Sequence, residues 1–295
     1  MTRRPVAALL FAVLSAPAAA QSPLFGGHGV GDNAKPIGIE AQNGIEWQQD
    51  NHVYIARGNA TATRGDAKVT ADTLYAYYRP IAAAPAAAPG KNGANDLLSG
   101  SATEIYRLEA DGNVRFTTPT QSVTGDHAVY DVDSQTLVVT GKNLRLTTPG
   151  DVVTARDSLE WHDATQTGVA RGNAIAVHGD RRMRGDVLTA ILTKGANGGA
   201  AHISRINANG NVELSTPTEI ARGDAGVYNL DTGIATLAGH VRLTRGENEL
   251  RGRYAVVDTN THVSRLLSAP PDTRLAGARV EGLLVPQHKP AAPGQ

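Results

Sequence analysis

The residues of this chain that could do chemistry are its histidines and a set of recurring aspartates. The nine histidines include no H-x-x-x-H or H-x-H pair, so their spacing does not indicate a metal site. No G-x-x-x-x-G-K-[ST] or G-x-S-x-G motif occurs, and the absence of cysteine excludes a thiol nucleophile. The sequence therefore predicts a protein that is not an enzyme and that needs no cofactor or metal.

The recurring aspartates are better explained as turn residues than as a ladder of catalytic carboxylates. Each follows Gly, Ala or Arg at a corner of the sequence pattern, where aspartate commonly accepts hydrogen bonds from local backbone N–H groups. Arg-Gly-Asp occurs at residues 64–66, 184–186 and 222–224, and two of these triplets coincide with such corners. This coincidence favours a turn over an adhesion motif.

An internal repeat of about 29 residues sets the positions of these aspartates. A Gly-Asn pair or a variant of it opens each copy. In five of the six copies a second marked residue follows this glycine by 14 positions; it is Asp, except in the last copy, where it is Arg253. A half copy begins at Asn43. The opening glycines are Gly58, Gly112, Gly141, Gly172, Gly210 and Gly239. Such spacing is typical of stacked repeats that contact their neighbours.

Short strands are predicted between the corners. Gly, Pro, Asp and Asn recur so closely that only three to six residues remain between them, which is too few for helices. Apolar and polar residues alternate in these segments, as in Val212, Glu213 and Leu214, and this alternation gives a strand one buried and one solvent-facing side. We therefore expect an elongated all-β stack with one long apolar interior and two exposed end edges.

Composition and the chain ends complete these expectations. Lys plus Arg and Asp plus Glu both number 28, and a neutral chain is not attracted generally to nucleic acid or anionic membranes. Residues 1–20 read as a secretory signal peptide, with Arg3 and Arg4 before an apolar run and small residues at 18–20. We further expect a flexible segment at 21–36, a repeat region at 37–286 with surface inserts at 79–101 and 194–200, and a disordered tail at 287–295.

Several short stretches resemble the OstA-like family of lipopolysaccharide transport proteins, of which LptA is a member. The stretches follow the patterns A-x-G-N-V/A and T/R-G-D-x-x-x-Y, for example at 110–114 with 124–130, and at 208–212 with 222–224. The segment 280–286 is similar to the way such chains finish. The resemblance covers about Ile37 to Pro286, although this chain is longer than the shortest members and carries an Ala/Pro-rich insert.

The resemblance implies a twisted β-jelly roll, open along one side, that bridges the inner and outer membranes in the periplasm. It also implies lipopolysaccharide as ligand, an LptC-like inner-membrane partner, an LptD-like outer-membrane partner and head-to-tail self-association. The lipid A acyl chains would lie in an apolar groove. The candidate groove residues are Ile45, Trp47, Leu74, Val114, Phe116, Tyr130, Leu144, Leu146, Leu159, Trp161, Leu188, Val212, Leu214, Tyr228, Val241 and Leu243.

Three other interpretations of the sequence stay open. One is a related module, such as an LptC-like protein or the N-terminal part of an LptD-like protein. Another is a β-helical polysaccharide-active enzyme, which would need clustered acidic or basic residues along an exposed groove. The third is a structural or adhesive repeat protein, whose interior would be closed and would have no affinity for lipid.

Overall fold

The computed structural model describes residues 38–80, 103–193, 202–270 and 279–284, and within these residues the secondary structure consists of β-strands. The predicted all-β class is confirmed. The strands are β1 (Gly38–Glu40), β2 (Ile45–Gln48), β3 (Val53–Arg64), β4 (Ala67–Pro80), β5 (Thr103–Thr117), β6 (Ser122–Asp131), β7 (Thr136–Thr140), β8 (Leu144–Thr147), β9 (Asp151–Ala155), β10 (Ser158–His162), β11 (Thr167–His178), β12 (Arg181–Thr193), β13 (His202–Ser215), β14 (Ile220–Asn229), β15 (Ile234–Arg245), β16 (Asn248–Asp258), β17 (Val263–Leu267) and β18 (Glu281–Leu283).

The strands form two antiparallel ladders that share most of their strands. β13 shows the arrangement, because its residues 205–209 pair with residues 225–229 of β14, whereas residues 212–215 pair with residues 220–223. We call the ladder that contains residues 205–209 of β13 and residues 225–229 of β14 sheet A. The ladder that contains residues 212–215 of β13 and residues 220–223 of β14 is sheet B. Sheet A runs from β2 to β17, and sheet B runs from β1 to β18.

The corner between the two sheets is a bulge centred on each Gly-Asn pair. In β13, Gly210 and Asn211 both have positive φ angles, of 71° and 48°, and the register shifts between Asn209 and Val212. A bulge bends a strand without ending its pairing. The short strands expected from the sequence are therefore halves of longer bent strands, of up to 15 residues in β5.

The recurring aspartates hold this corner from the neighbouring strand. Asp186 Oδ2 accepts a hydrogen bond from Asn211 Nδ2 at 2.9 Å, and Asp72 Oδ2 accepts one from Asn113 Nδ2 at the same distance. Asp126 Oδ2 accepts a bond from the backbone N–H of Lys142 at 2.7 Å. The local-turn role expected for these aspartates was wrong, because their partners lie in the next copy of the repeat.

A single apolar core lies between the sheets, as the alternation predicted. It extends through the buried side chains from Ala71 to Val257. Gly252 of sheet B and Leu266 of sheet A show how closely the sheets approach, because a Cβ added to Gly252 would lie 2.8 Å from Leu266 Cγ. Glycine at this position therefore allows the two sheets to meet.

The predicted insert at 79–101 begins two residues too early. Arg79 and Pro80 belong to β4, and the Arg79 guanidinium donates hydrogen bonds to Glu104 at 2.7 Å and to Asp133 at 2.7 and 2.8 Å. These ion pairs hold the end of β4 in the ladder. The rest of that insert lies outside the described residues, as do the segments 1–20, 21–36, 194–200 and 287–295.

The pairing pattern bears on one alternative interpretation. Every pair of neighbouring strands in the described residues is antiparallel, for example β7 with β10 and β9 with β11, whereas the coils of a parallel β-helix stack parallel strands. The structure therefore does not favour a β-helical enzyme. The described residues also contain no helix long and apolar enough to span a membrane.

Candidate functional site

The candidate site is the apolar interior between sheets A and B. Inward-facing side chains alternate with outward-facing ones on both sides of every corner, because the bulge preserves the alternation in each half-strand. On β13, for example, Ala208, Val212 and Leu214 are buried while Asn209 and Glu213 face solvent. The repeat thus brings equivalent apolar residues from successive copies side by side.

Most of the predicted groove residues are packed inside this core. Leu144, Val212 and Leu214 each have 1% of their surface exposed. The other buried members are Val114, Phe116, Leu159, Trp161, Leu188, Tyr228, Val241 and Leu243. These residues lie within two to five positions of a corner, where the two sheets approach each other. They belong to one continuous cluster of buried side chains.

The remaining predicted residues lie nearer to solvent. Leu74, Tyr130 and Leu146 are partly buried against the core. Ile45 and Trp47 are 53% and 54% exposed at the N-terminal edge of sheet A. Exposed apolar side chains also lie at the other end of the stack, for example Val263 and Leu283.

Several half-buried residues on the side opposite the corners were missed by the sequence reasoning. They include Val153, Leu192, Ile203 and Leu230, which pack on the core without being enclosed by it. Leu192 and Leu230 stand six residues after Asp186 and Asp224, one alternation step beyond the positions considered in the sequence. Extending the period-two pattern by one step would have found these two residues.

An aromatic cluster occupies the N-terminal end of the interior. Trp47 Nε1 donates a hydrogen bond to Tyr78 Oη at 2.8 Å, and the Trp47 ring stacks on Tyr54 with 5.6 Å between centroids. The rings of Tyr54 and Tyr78 lie 5.1 Å apart, and His52 lies 5.3 Å from Tyr78. Aromatic pairs in this distance range attract each other. The cluster therefore holds the exposed face of Trp47 in place.

Polar side chains at the open side are tied to one another. Asp163 is buried and accepts hydrogen bonds from Trp161 Nε1 at 2.5 Å and from Tyr130 Oη at 3.2 Å. Burial and the nearby Asp163 carboxylate raise the pKa of Tyr130, so the phenol keeps its proton and stays a donor. This contact orients the Trp161 and Tyr130 side chains around the core.

A second polar contact joins the sheets near the C-terminal end. The Glu219 side chain is 5% exposed and lies 2.9 Å from Arg245 Nη2. Ser264 Oγ also donates to Glu219, which links sheet B to β17 of sheet A. A buried carboxylate is tolerated when it is paired and hydrogen-bonded in this way. The described residues contain no group of His, Asp or Glu that could hold a metal ion.

A sequence profile of the LptA/(LptD N-terminal domain) LPS transport protein family matches the chain twice, over residues 38–157 and 155–263. The two matches together cover more than half of the 295 residues. The chain belongs to this family of lipopolysaccharide (LPS) transport proteins. The predicted resemblance is confirmed at the level of the family, which includes LptA and the N-terminal domain of LptD alike.

One solved structure related to this family member is that of LptH from Pseudomonas aeruginosa, the LptA-homologous periplasmic component of the conserved LPS transport device. The two chains are 18% identical, with a TM-score of 0.40, over 46% of this chain and 95% of LptH. No curated protein matches this LPS transport family member at a significant level.

The two profile matches meet without a structural break. They overlap at residues 155–157, directly after β9. β10 continues sheet A by pairing with β7 and β11, and β9 continues sheet B by pairing with β8 and β11. In this member of the family, two family units therefore share one core and one pair of ladders.

Proposed function

We propose that this protein is a periplasmic LPS-binding transport protein that passes lipid A acyl chains along the interior between sheets A and B. The observation that carries the proposal is the apolar core that continues through both matched stretches. Sugars and phosphates of the lipid remain in solvent at the open side, opposite the corners. The protein acts as a carrier and not as an enzyme.

The energetics of hydrocarbon explain why a carrier needs such an interior. Each methylene moved from water into an apolar environment contributes roughly 0.8 kcal/mol. Moving one chain of about a dozen carbons through water would therefore cost on the order of 10 kcal/mol. A row of equivalent apolar sites removes this barrier, and because the sites are alike, it holds the chain at no single position.

The tight packing near the corners indicates how lipid is accommodated. Residues such as Leu144 and Leu214 are enclosed by protein, so an acyl chain reaches them only when the sheets separate. The half-buried residues on the open side, among them Leu146, contact the chain first. We therefore propose all sixteen predicted residues as parts of the lipid path, with the enclosed ones becoming accessible on opening.

The ends of the stack supply the proposed contacts with partners. β1, β2 and β17 each pair with one neighbour among the described strands. They expose the apolar side chains of Ile39, Ile45 and Val263, respectively. Unpaired edges are suited to strand addition by another sheet. We propose that an LptC-like inner-membrane protein, an LptD-like outer-membrane protein and further copies of this chain bind head to tail at these edges, which completes a bridge between the membranes.

A photo-crosslinking experiment tests the lipid path. Benzoylphenylalanine replacing Trp47 or Leu146, both on the inner face, should capture LPS added to the purified protein. The adjacent outward residues Glu46 and Arg145 are the matched controls and should give little adduct, detected by mass spectrometry. Equal adduct yields at inner and outer positions would refute the path and would favour a structural repeat protein with a closed interior.

A further inference from the structure

A narrow cleft opens between the two sheets in the second half of the chain. Its volume is about 340 Å³ when the part that is open to solvent is included. Sheet B contributes Val153, Ala176 and Met183 to its walls, and sheet A contributes Ile203, Ile206 and Leu230. These side chains form a hydrocarbon-lined space that connects the solvent with the core.

One end of this cleft is polar because Arg181 crosses it from sheet B to sheet A. Its Nη1 donates a hydrogen bond to Tyr228 Oη at 3.0 Å, and its Nη2 donates one to the Thr259 carbonyl oxygen at 3.3 Å. Arg181 starts β12, Tyr228 lies on β14, and Thr259 directly follows β16. The guanidinium therefore ties the two sheets together across the open side of the molecule.

The counter-ion of Arg181 is an exposed carboxylate at the limit of ion-pair distance. Both hydrogen-bond acceptors are neutral, and the Asp180 carboxylate, 69% exposed, lies 4.0 Å from Arg181 Nε. A carboxylate at that distance and exposure contributes little. Asp151 also lines the cleft, but its Oδ1 is 2.7 Å from His178 Nδ1. A guanidinium that is 28% exposed and held by neutral groups is well suited to bind a phosphate through two parallel hydrogen bonds.

The partners of Arg181 can release it without losing all their hydrogen bonds. Arginine can only donate, so Tyr228 Oη accepts from it, and the tyrosine proton is free to bond Thr259 Oγ1 at 3.3 Å. Thr259 Oγ1 in turn donates to the Gly233 carbonyl oxygen at 2.8 Å. When Arg181 turns to another acceptor, Tyr228 therefore still has a partner, and the two sheets lose one tie.

We propose that Arg181 binds the phosphate of an anionic lipid whose acyl chain enters this cleft, and that the phosphate replaces Tyr228 and Thr259 as its acceptors. The cleft is thus a lateral entrance into the interior, closed by Arg181 until a phosphorylated lipid arrives. This inference rests on the proposed lipid-carrier function. It adds a headgroup site to a path otherwise defined by apolar contacts.

Alkyl probes with and without phosphate test the headgroup site. In the full chain, Arg181→Met should weaken the binding of dodecyl phosphate about tenfold and should leave the binding of uncharged dodecyl maltoside unchanged. Calorimetry below micelle-forming concentrations measures both affinities. Tyr228→Phe should act in the opposite direction and strengthen dodecyl phosphate binding, because it removes an acceptor that competes for Arg181. Inorganic phosphate alone should bind far more weakly than dodecyl phosphate.

The controls separate this inference from the function on which it rests. Arg182→Met changes the neighbouring outward-facing residue and should not alter the binding of either probe. Arg181→Lys retains the charge and should recover part of the lost affinity, which shows that the variant site is still folded. If wild-type protein binds both alkyl probes and Arg181→Met binds them equally well, the headgroup site is refuted while the carrier function stands. If wild-type protein binds neither alkyl probe, both proposals fail.

Equal binding of inorganic phosphate and dodecyl phosphate would also overturn the proposal, because the cleft would then contribute nothing. An equal loss of both alkyl probes in Arg181→Met would show that the arginine only packs the cleft. The same loss in Arg182→Met as in Arg181→Met would assign the effect to general surface charge. Each of these three results contradicts phosphate recognition by Arg181.

Discussion

The glycine of a typical corner is required for two separate reasons. At Gly210 the backbone has a φ of +71°, which L side chains rarely adopt, and an added Cβ would lie 2.2 Å from Asp186 Oδ2. Gly179, in the turn between β11 and β12, has a φ of +58° but no heavy atom within 4 Å of the added Cβ. The two positions therefore separate backbone strain from steric overlap.

This contrast predicts different costs for the same substitution. Gly179→Ala should lower the free energy of unfolding by about 1 kcal/mol through backbone strain alone. Gly210→Ala should lower it by roughly 2–4 kcal/mol, because the methyl group also displaces Asp186 and breaks its bond to Asn211. Urea unfolding of both variants measures the difference. Equal losses would show that the close approach of Asp186 to the corner does not matter for stability.

A double variant checks the cause of the larger loss. Asp186→Ala removes the carboxylate that meets the added methyl group, so Gly210→Ala should cost less in that background than in the wild type. Additive losses would contradict the steric explanation and leave only the backbone term.

At the level of single elements, the turns between the strands depend on ionised aspartates. Asp131 is the last residue of β6, and its Oδ1 accepts hydrogen bonds from the Ser134 backbone N–H at 2.7 Å and from Ser134 Oγ at 2.8 Å. These bonds hold the pKa of Asp131 below its ordinary value. The pKa of Asp258, the last residue of β16, is lowered in the same way, because the backbone N–H groups of Thr261 and Asn260 donate hydrogen bonds to its carboxylate.

The lowered pKa values predict that acid weakens these turns. A carboxyl group whose pKa is lower in the folded state contributes stability above its unfolded pKa of about 3.9, and this contribution is lost as pH falls through the folded value. The urea midpoint of wild-type protein should therefore drop between pH 5 and pH 2, both values being approximate bounds set by that pKa. In Asp131→Asn the drop should be smaller. Glu247→Gln, at an exposed turn residue, serves as the control, and an unchanged acid dependence in Asp131→Asn would contradict the role of this turn.

At the scale of the whole molecule, the two ladders define an elongated body with two ends. Neighbouring strands lie about 4.8 Å apart, so the fourteen strands and half-strands that the described residues contribute to sheet A extend over roughly 60 Å. The two family units contribute to this length without an interface between separate chains. One copy of this protein therefore joins two family units in one continuous pair of ladders.

The exposed edges at the two ends predict how copies associate. The double substitution Ile39→Lys and Ile45→Lys, on β1 and β2, should prevent head-to-tail association, because charged side chains on an edge strand oppose strand addition. Analytical ultracentrifugation over a range of protein concentrations would show the variant as a monomer while the wild type forms longer species. Asn209→Lys, at an exposed position away from both ends of the stack, should leave the association unchanged. Continued association of the edge variant would show that copies meet elsewhere.

The sequence alone determined the class of the fold and its repeat. Spacing of Gly-Asn pairs such as Gly210-Asn211 and alternation in segments such as 212–214 are local properties, and local backbone preferences and side-chain polarity are written in the residues themselves. They were sufficient to predict an all-β stack, a shared apolar interior and the family. They also identified residues such as Leu214 as inward-facing.

Only the tertiary structure distinguishes the burial of residues that the sequence pattern makes equivalent. Leu144 and Leu146 have the same chemistry and the same alternation, yet one is enclosed and the other is half-buried, because the distance between two bent sheets depends on contacts far apart in the chain. The tie from Arg181 to Tyr228 joins residues 47 positions apart, and no local pattern predicts such a contact. The partners of the aspartates were decided in the same way, because the register between copies places Asp186 beside Asn211.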